Sequence, residues 1–156
     1  MDPKTFDWRK IKPAQNLHRL LYRIGLGPLV GRIILLLTTT GRKSGLARTT
    51  PLQYELIDGS YCLGAARGKQ ADWVRNIEAN PWVQVRVKRL NFSGTARISS
   101  DTREIADFLE TRLKRHPLMI GMIMEKAHNL PRRPSRKQLE ELAESEVMVV
   151  ITPDQD

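Results

Sequence analysis

The chain has 156 residues, with 26 lysines and arginines against 17 aspartates and glutamates, which gives a formal net charge of +9. This length predicts one domain that can bury its own core, and a single cysteine, Cys62, excludes an internal disulfide and a cysteine-only metal cluster. The three histidines show no metal-ligand spacing, so we expect no metal site. Residues 1–100 hold 17 of the cations and only 6 of the acids, which favours an anionic partner: a phosphorylated ligand, nucleic acid or an anionic membrane.

The first 31 residues are predicted to form an N-terminal segment that contains an amphipathic helix. Residues 16–24 place four aliphatic side chains at helical spacing, with cations elsewhere on the wheel. Such a helix either packs on its own domain or lies on an anionic membrane surface. Because the segment lacks the apolar core of a secretory signal, we expect a cytoplasmic protein, with peripheral membrane contact as the alternative.

Residues 32–156 are predicted to form a single domain with a helical insertion at 101–145. Apolar and alternating patterns predict six strands, at 32–40, 48–57, 60–66, 82–88, 91–98 and 147–151. Helices are predicted at 71–79, from Asp101 onward, at 118–127 and after Ser135, the second and fourth beginning with capping-box signals. Hairpin-connected strands with added helices favour the α+β class and an antiparallel barrel over a parallel sheet.

A basic turn between the first two strands is the first candidate site. Arg42, Lys43 and Ser44 lie between Gly41 and Gly45, and Arg48 follows closely. A turn of this kind can point successive backbone N–H groups at one anion, and arginine can bind a phosphate through two hydrogen bonds. The turn is therefore interpreted either as a phosphate site or as an ordinary solvated basic hairpin.

A second candidate stretch runs from residue 63 to residue 76. Its small residues end a strand, which permits close approach of a flat ligand to the backbone, and Trp73 and Asn76 share one helix face. In isolation, the simpler interpretation is a strand end followed by core packing of Trp73.

Together these stretches resemble the deazaflavin-dependent nitroreductase family, also called the coenzyme F(420)H2-dependent quinone reductase family. The resemblance rests on Thr-Thr-Thr-Gly-Arg-Lys-Ser-Gly at 38–45, Arg-Thr-Thr-Pro-Leu at 48–52, Gly-Ala-Ala-Arg-Gly at 64–68, and Trp73 with Asn76. It implies a six-stranded split β-barrel similar to the flavin-binding split barrels. It also implies an oxidoreductase that transfers a hydride from reduced coenzyme F(420) to a quinone or nitro compound.

The resemblance also implies twelve coenzyme-binding residues. Those expected at the phosphate and its polyglutamate tail are Arg42, Lys43, Ser44 and Arg48. Those expected along the deazaflavin or closing the site are Pro51, Leu52, Ala65, Ala66, Arg67, Gly68, Trp73 and Asn76. Arg67 stands where the family usually has lysine. Gln53 stands where the best-known nitroreductases have an aromatic residue, so their substrate range does not carry over.

The acceptor side is predicted from composition. Residues 118–124 contain Met119, Met122 and Met124, and this soft apolar surface, together with Gln53, would suit a flat hydrophobic acceptor, a quinone first and a nitroaromatic second. A homodimer interface is an equally good interpretation of the same segment. Two alternative functions are kept, an FMN-binding oxidoreductase and a non-catalytic carrier, whereas nucleic-acid binding is not expected, since no aromatic platform motif is present.

Overall fold

The computed structural model describes residues 34–65 and 67–155. The helix predicted at 16–24 and Ala66 lie outside the described residues. The described strands are β1 (Ile34–Thr40), β2 (Ala47–Gln53), β3 (Glu55–Ile57), β4 (Ser60–Ala65), β5 (Trp82–Val87), β6 (Leu90–Ser99) and β7 (Val147–Pro153). The described helices are α1 (Asp72–Ala79), α2 (Thr102–Arg115), α3 (Pro117–His128) and α4 (Arg136–Ala143), with a short 3-10 turn at Gly68–Gln70 before α1.

The strands form one antiparallel sheet in the order β2-β1-β5-β6-β7-β4-β3. The prediction of an α+β fold built on antiparallel pairing is confirmed, but the predicted count of six strands is wrong. Segment 48–57 is two strands, because β2 pairs with β1 at one edge of the sheet whereas β3 pairs with β4 at the other. The chain passes between the two edges at Tyr54, so the sheet must curl until its edges meet there.

Alternation along the strands divides the apolar residues between two cores. On β7, Val149 and Ile151 pack in the core enclosed by the curled sheet, while Met148 and Val150 face the opposite way. The second group contacts Ile105 and the other apolar residues of α2, α3 and α4. Because successive strand residues point to opposite faces, each strand of this region contributes to the barrel interior and to the helical layer at once.

The helical layer begins at Asp101, as predicted, but only half of the predicted capping box forms. The Asp101 carboxylate accepts hydrogen bonds from the backbone N–H groups of Arg103 (2.9 Å) and Glu104 (3.1 Å). The Glu104 carboxylate binds Arg97 and Ser99 of β6 instead of returning to the helix start. This pairing ties α2 to the sheet. The capping box predicted at Ser135 and Gln138 is confirmed in full.

A buried carboxylate fixes the end of α2 to the corner at Tyr54. Glu55 is surrounded by His116 Nε2 (3.1 Å), Arg115 Nη1 (3.2 Å) and Arg112 Nε (3.7 Å). Arg112 also donates to the side-chain oxygen of Gln53. Burial lowers the pKa of Arg112, and the carboxylate of Glu55 opposes that shift. Three cationic or protonatable side chains therefore converge on one acid at this corner.

Candidate functional site

A cavity of about 660 Å³ opens between the β1–β2 turn, the outer part of β2 and the first turns of α1. Six of the residues predicted to bind the coenzyme lie in its walls: Arg42, Lys43, Ser44, Arg48, Trp73 and Asn76. Five further residues complete the walls: Gly41, Ala47, Thr49, Thr50 and Asp72. The structure thus brings together residues from two sequence stretches that the resemblance alone had connected.

The turn is held in a defined shape by its own backbone. Gly41 N–H donates to the carbonyl of Leu46 (2.7 Å), and Gly45 N–H donates to the carbonyl of Gly41 (2.8 Å). The hydroxyl of Ser44 accepts from the N–H of Leu46 at 3.2 Å. A Cβ at Gly41 would lie 2.8 Å from that hydroxyl and 3.0 Å from the Leu46 carbonyl, so only glycine fits this position without a shift of the turn.

Helix α1 orients Arg42 from the opposite wall. Asn76 Oδ1 accepts from the backbone N–H of Arg42 (3.2 Å) and from its Nη1 (2.9 Å). Arg42 Nη2 pairs with the exposed carboxylate of Asp72 at 3.1 Å. The guanidinium is therefore placed at the cavity wall before any ligand arrives, which lowers the entropic cost of using it for binding.

Asn76 is itself buried, with 4% of its surface exposed. Its side-chain N–H donates to the hydroxyl of Thr39 on β1 at 3.1 Å. One amide thus links β1, the turn and α1. Its predicted role in closing the coenzyme site stays a prediction, and its side-chain oxygen is engaged by Arg42.

The charge of the cavity favours an anion. Its walls carry the three cations Arg42, Lys43 and Arg48 against one carboxylate, Asp72. Lys43 and Arg48 are exposed, so their charged groups can turn toward a ligand. Thr49 and Thr50 add hydroxyl groups along β2. Cations and hydroxyl groups are donors that bind phosphate and carboxylate groups.

The residues predicted beside the deazaflavin ring lie outside the walls of this cavity. Pro51 and Leu52 are half-buried on β2, and Leu52 packs against the barrel core. Ala65 is buried at the end of β4, while Arg67 and Gly68 lie in the connection to α1. Ala66 is outside the described residues. These positions continue from the cavity along β2 and toward α1, and their predicted contacts with the ring stay predictions.

The predicted acceptor residues are spread over different environments. Gln53 is held by Arg112 of α2. Met124 is 2% exposed and packs in the helical core, Met119 is partly buried against that core, and Met122 is 43% exposed. None of the four lies in the walls of the 660 Å³ cavity. Any contact of the methionines with an acceptor must therefore occur at another surface.

Sequence reasoning missed five wall residues whose neighbours were predicted: Gly41, Ala47, Thr49, Thr50 and Asp72. Thr49 and Thr50 fall within the Arg-Thr-Thr-Pro-Leu motif, and Asp72 directly precedes Trp73. The signal in the sequence was therefore their position inside the motifs. Within the described ranges, no cluster of three or more metal-ligating side chains occurs, and no helix is long and apolar enough to cross a bilayer.

Comparison with known proteins identifies the family. The profile of the F(420)H2-dependent quinone reductase family matches residues 18–117, which is more than half of the chain and contains every wall residue of the cavity. The chain belongs to this family. An F(420)H2-dependent quinone reductase of Mycobacterium tuberculosis is 36% identical over 90 residues, which cover 53% of this chain and 60% of that protein. The chain thus spans about 60% of the length of the curated relatives that it matches.

Solved structures extend the likeness to the fold. An F(420) reductase matches with a TM-score of 0.52 at 17% identity, over 81% of this chain and 91% of that one. The haem storage protein HutZ of Vibrio cholerae matches with a TM-score of 0.54 at 17% identity, over 80% of this chain and 84% of that one. At these identities only the fold is shared, and proteins with different cofactors use it, so function must be argued from the site.

Proposed function

We propose that the protein is an oxidoreductase that binds reduced coenzyme F(420) and reduces an electron-poor organic acceptor, a quinone in the first place and a nitro compound in the second. The observation that carries this proposal is the 660 Å³ cavity, in which the family's basic turn and helix α1 meet. The Mycobacterium tuberculosis relative, an F(420)H2-dependent quinone reductase, supports the same reaction class.

The donor set fits the anionic part of this coenzyme. Lys43 and Arg48 would bind the phosphate and the acidic tail, assisted by Arg42 in its fixed position. Trp73 would close one wall against the ring system. A coenzyme bound through a phosphate at this turn would place its ring toward Pro51, Leu52 and the end of β4, where the resemblance expects it.

When bound, reduced F(420) supplies the hydride, so the protein is not required to provide a nucleophile or a general base. The chain's own residues have three tasks: to bind the anionic tail, to orient the ring toward the acceptor, and to shield the reacting faces from water. The curled sheet supplies a rigid support for these tasks because β1 and α1 are tied together through Thr39 and Asn76.

The test is a titration of the full chain with oxidised coenzyme F(420), followed by the coenzyme's fluorescence. Each charge-assisted contact is worth roughly 1.5–3 kcal/mol, so Arg42→Ala/Lys43→Ala should weaken binding at least about tenfold. Lys88→Ala/Arg89→Ala removes two exposed cations at the β5–β6 turn and serves as the matched control. Equal affinities of wild type and the Arg42/Lys43 variant would refute the assignment of this cavity.

The same purified protein can be used to test the two alternative functions, an FMN-binding oxidoreductase and a non-catalytic carrier. FMN has a single phosphate that the turn could also bind. If the protein retains a flavin absorption spectrum after incubation with FMN and does not bind F(420), FMN is the favoured cofactor. Binding of F(420)H2 with no oxidation by any quinone or nitro compound would favour the carrier. We also propose that residues 32–156 form a single domain, which limited proteolysis can test. We propose a homodimer as well, which analytical sedimentation can test.

A further inference from the structure

The side chain of Gln53 has a fixed orientation, because a buried arginine holds its oxygen. Arg112 of α2 donates a hydrogen bond to that oxygen. A guanidinium offers only donors, so the amide must turn its oxygen, and not its nitrogen, toward Arg112. The two amide N–H groups of Gln53 are therefore directed away from Arg112. Gln53 is half-buried, and these N–H groups have no hydrogen-bond partner among the described residues.

Arg112 is itself held in place by its surroundings. Its side chain is 14% exposed, and its guanidinium lies over the ring of Phe108, 5.7 Å from the ring centroid. Its Nε is buried without a hydrogen-bond partner and lies 3.7 Å from a carboxylate oxygen of Glu55. An arginine packed in this way has little rotational freedom. It can therefore keep Gln53 in one orientation before any ligand arrives.

Gln53 lies in one row with a wall residue of the basic cavity. The register of β2 with β1 is unbroken from Thr49 to Gln53, so Thr49, Pro51 and Gln53 share one face of the strand. Thr49 belongs to the walls of the 660 Å³ cavity. At about 3.3 Å per residue, Gln53 lies roughly 13 Å farther along β2. The row thus leads from the proposed phosphate site to the N–H groups of Gln53.

We propose that Arg112 is a positioning residue for the reduction of the acceptor, because it turns the amide of Gln53 so that its N–H groups bind an oxygen atom of a quinone. This inference rests on the proposed function. A quinone oxygen has lone pairs and no proton, so it pairs with N–H groups and not with an amide oxygen. Arg112 occupies the amide oxygen and leaves only the donors of Gln53 for the acceptor.

The same contact favours the reaction as well as binding. A hydride carries two electrons and one proton, so a quinone that receives one from the reduced coenzyme becomes a hydroquinone anion, and the coenzyme is oxidised. A second proton, from solvent, completes the hydroquinone. The negative charge develops on oxygen, and an N–H donor already fixed beside that atom stabilises it. Gln53 gives up no proton in this step.

Gln53→Glu separates this role from a structural one. Its carboxylate still accepts from Arg112, so stability in urea at neutral pH should be kept or raised, but it has no N–H group for the quinone. With F(420)H2 and the quinone menadione, kcat/KM should fall at least about tenfold, while the affinity for oxidised F(420) is kept. Gln138→Glu is the matched control, because glutamate also closes the capping box of α4.

Two variants of Arg112 test the positioning itself. Arg112→Lys keeps a donor for the oxygen of Gln53 and should retain most of kcat/KM. Arg112→Met removes every donor and should lose kcat/KM as Gln53→Glu does. Urea denaturation checks that each variant is folded, and Gln53→Glu carries the test if Arg112→Met does not fold.

A second measurement does not depend on turnover. In ¹H–¹⁵N spectra the side-chain amide signal of Gln53 is assigned by its absence from Gln53→Glu. With oxidised F(420) present, menadione should shift this signal in wild type and in Arg112→Lys, but not in Arg112→Met.

The outcomes distinguish this inference from the proposed function. If wild type binds F(420) and reduces menadione but Gln53→Glu keeps its kcat/KM, the inference is wrong and the proposed function stands. A shift as large in Arg112→Met as in wild type would exclude the positioning role of Arg112. If wild type binds no F(420), the proposed function fails, and menadione alone then decides: a shifted Gln53 amide supports the quinone contact, and an unshifted one excludes it.

Discussion

Asn76 accepts two hydrogen bonds from Arg42, one from its backbone N–H at 3.2 Å and one from its guanidinium at 2.9 Å, although 34 positions separate the two residues in the chain. The same amide donates to Thr39. A buried side chain with these partners fixes the turn relative to α1. We therefore expect Asn76 to act on a ligand through Arg42, as a positioning residue of the basic turn.

Asn76→Ala should weaken binding of coenzyme F(420) about tenfold and lower the free energy of unfolding by roughly 1–3 kcal/mol, because it leaves Thr39 and Arg42 without their buried partner. Fluorescence titration and urea denaturation measure the two effects. Asn80→Ala is the matched control, since Asn80 directly follows the same helix and its side-chain oxygen accepts from the backbone N–H of Trp82, two residues on.

A double-mutant cycle tests whether Asn76 acts through Arg42. If it does, Asn76→Ala should reduce affinity much less in an Arg42→Ala background than in wild type. Fully additive losses in affinity would contradict a positioning role and would indicate that Asn76 contacts the coenzyme itself.

The sequence identified the chemistry of this site better than its geometry. The glycines and cations of the turn are local signals, so the turn and the residues of α1 could be predicted as site residues. The contact between Arg42 and Asn76 could not, because it depends on how α1 packs against β1. The break at Tyr54 escaped prediction for a similar reason: residues 48–57 keep a strand-like composition while their partners change from β1 to β4.

The helical layer shows the same limit. Ser135 and Gln138 form their predicted box because both ends of that interaction are local. Glu104 has the same spacing from Asp101, but its carboxylate instead accepts hydrogen bonds from Arg97 and Ser99 of β6. A neighbouring strand that supplies a guanidinium competes successfully with a neutral backbone N–H, since charge-assisted hydrogen bonds are the stronger ones.

This pairing predicts a pH-dependent contribution to stability. Hydrogen bonds from Arg97 and then Ser99 lower the pKa of Glu104, so folding favours its ionised form. The contribution is complete above the ordinary glutamate pKa of about 4.3 and is lost as the pH falls through the lowered value. Glu104→Gln should therefore reduce the free energy of unfolding at pH 7 by about 1 kcal/mol or less, because the pair is partly exposed.

The measurement is urea denaturation of wild type and Glu104→Gln between pH 7 and pH 3. Their difference should stay constant near neutrality and shrink in acid. Glu144→Gln, at an exposed position after α4, controls for the loss of one negative charge. A difference between wild type and Glu104→Gln that grows on acidification would contradict the assignment.

Cys62 should be unreactive in the folded protein. Its side chain is buried in the helical core, and burial is the main reason that its pKa is raised, with the charge of Glu104 adding to the effect. The thiolate is the reactive form, so a thiol reagent at pH 8 should modify Cys62 in urea but only slowly under native conditions. Cys62→Ser should keep its affinity for coenzyme F(420), since Cys62 lies outside the cavity walls. Rapid native labelling would show that the helical layer opens readily.

The methionines of α3 should differ sharply in their effect on stability. Met124 is 2% exposed and fills space among Ile105, Phe108 and Leu139, so Met124→Ala leaves a cavity and should lower the free energy of unfolding by roughly 2–5 kcal/mol. Met122 lies on the exposed face of the same helix, so Met122→Ala should lower the free energy of unfolding by less than about 1 kcal/mol. Thermal and urea denaturation of the two single variants check this contrast, and equal losses of stability would mean that the exposed face of α3 is covered.

The same contrast decides how kinetic tests of acceptor binding are interpreted. Lower activity of Met124→Ala would report on folding. A raised KM for a quinone in Met122→Ala, at unchanged stability, would report on contact with the acceptor.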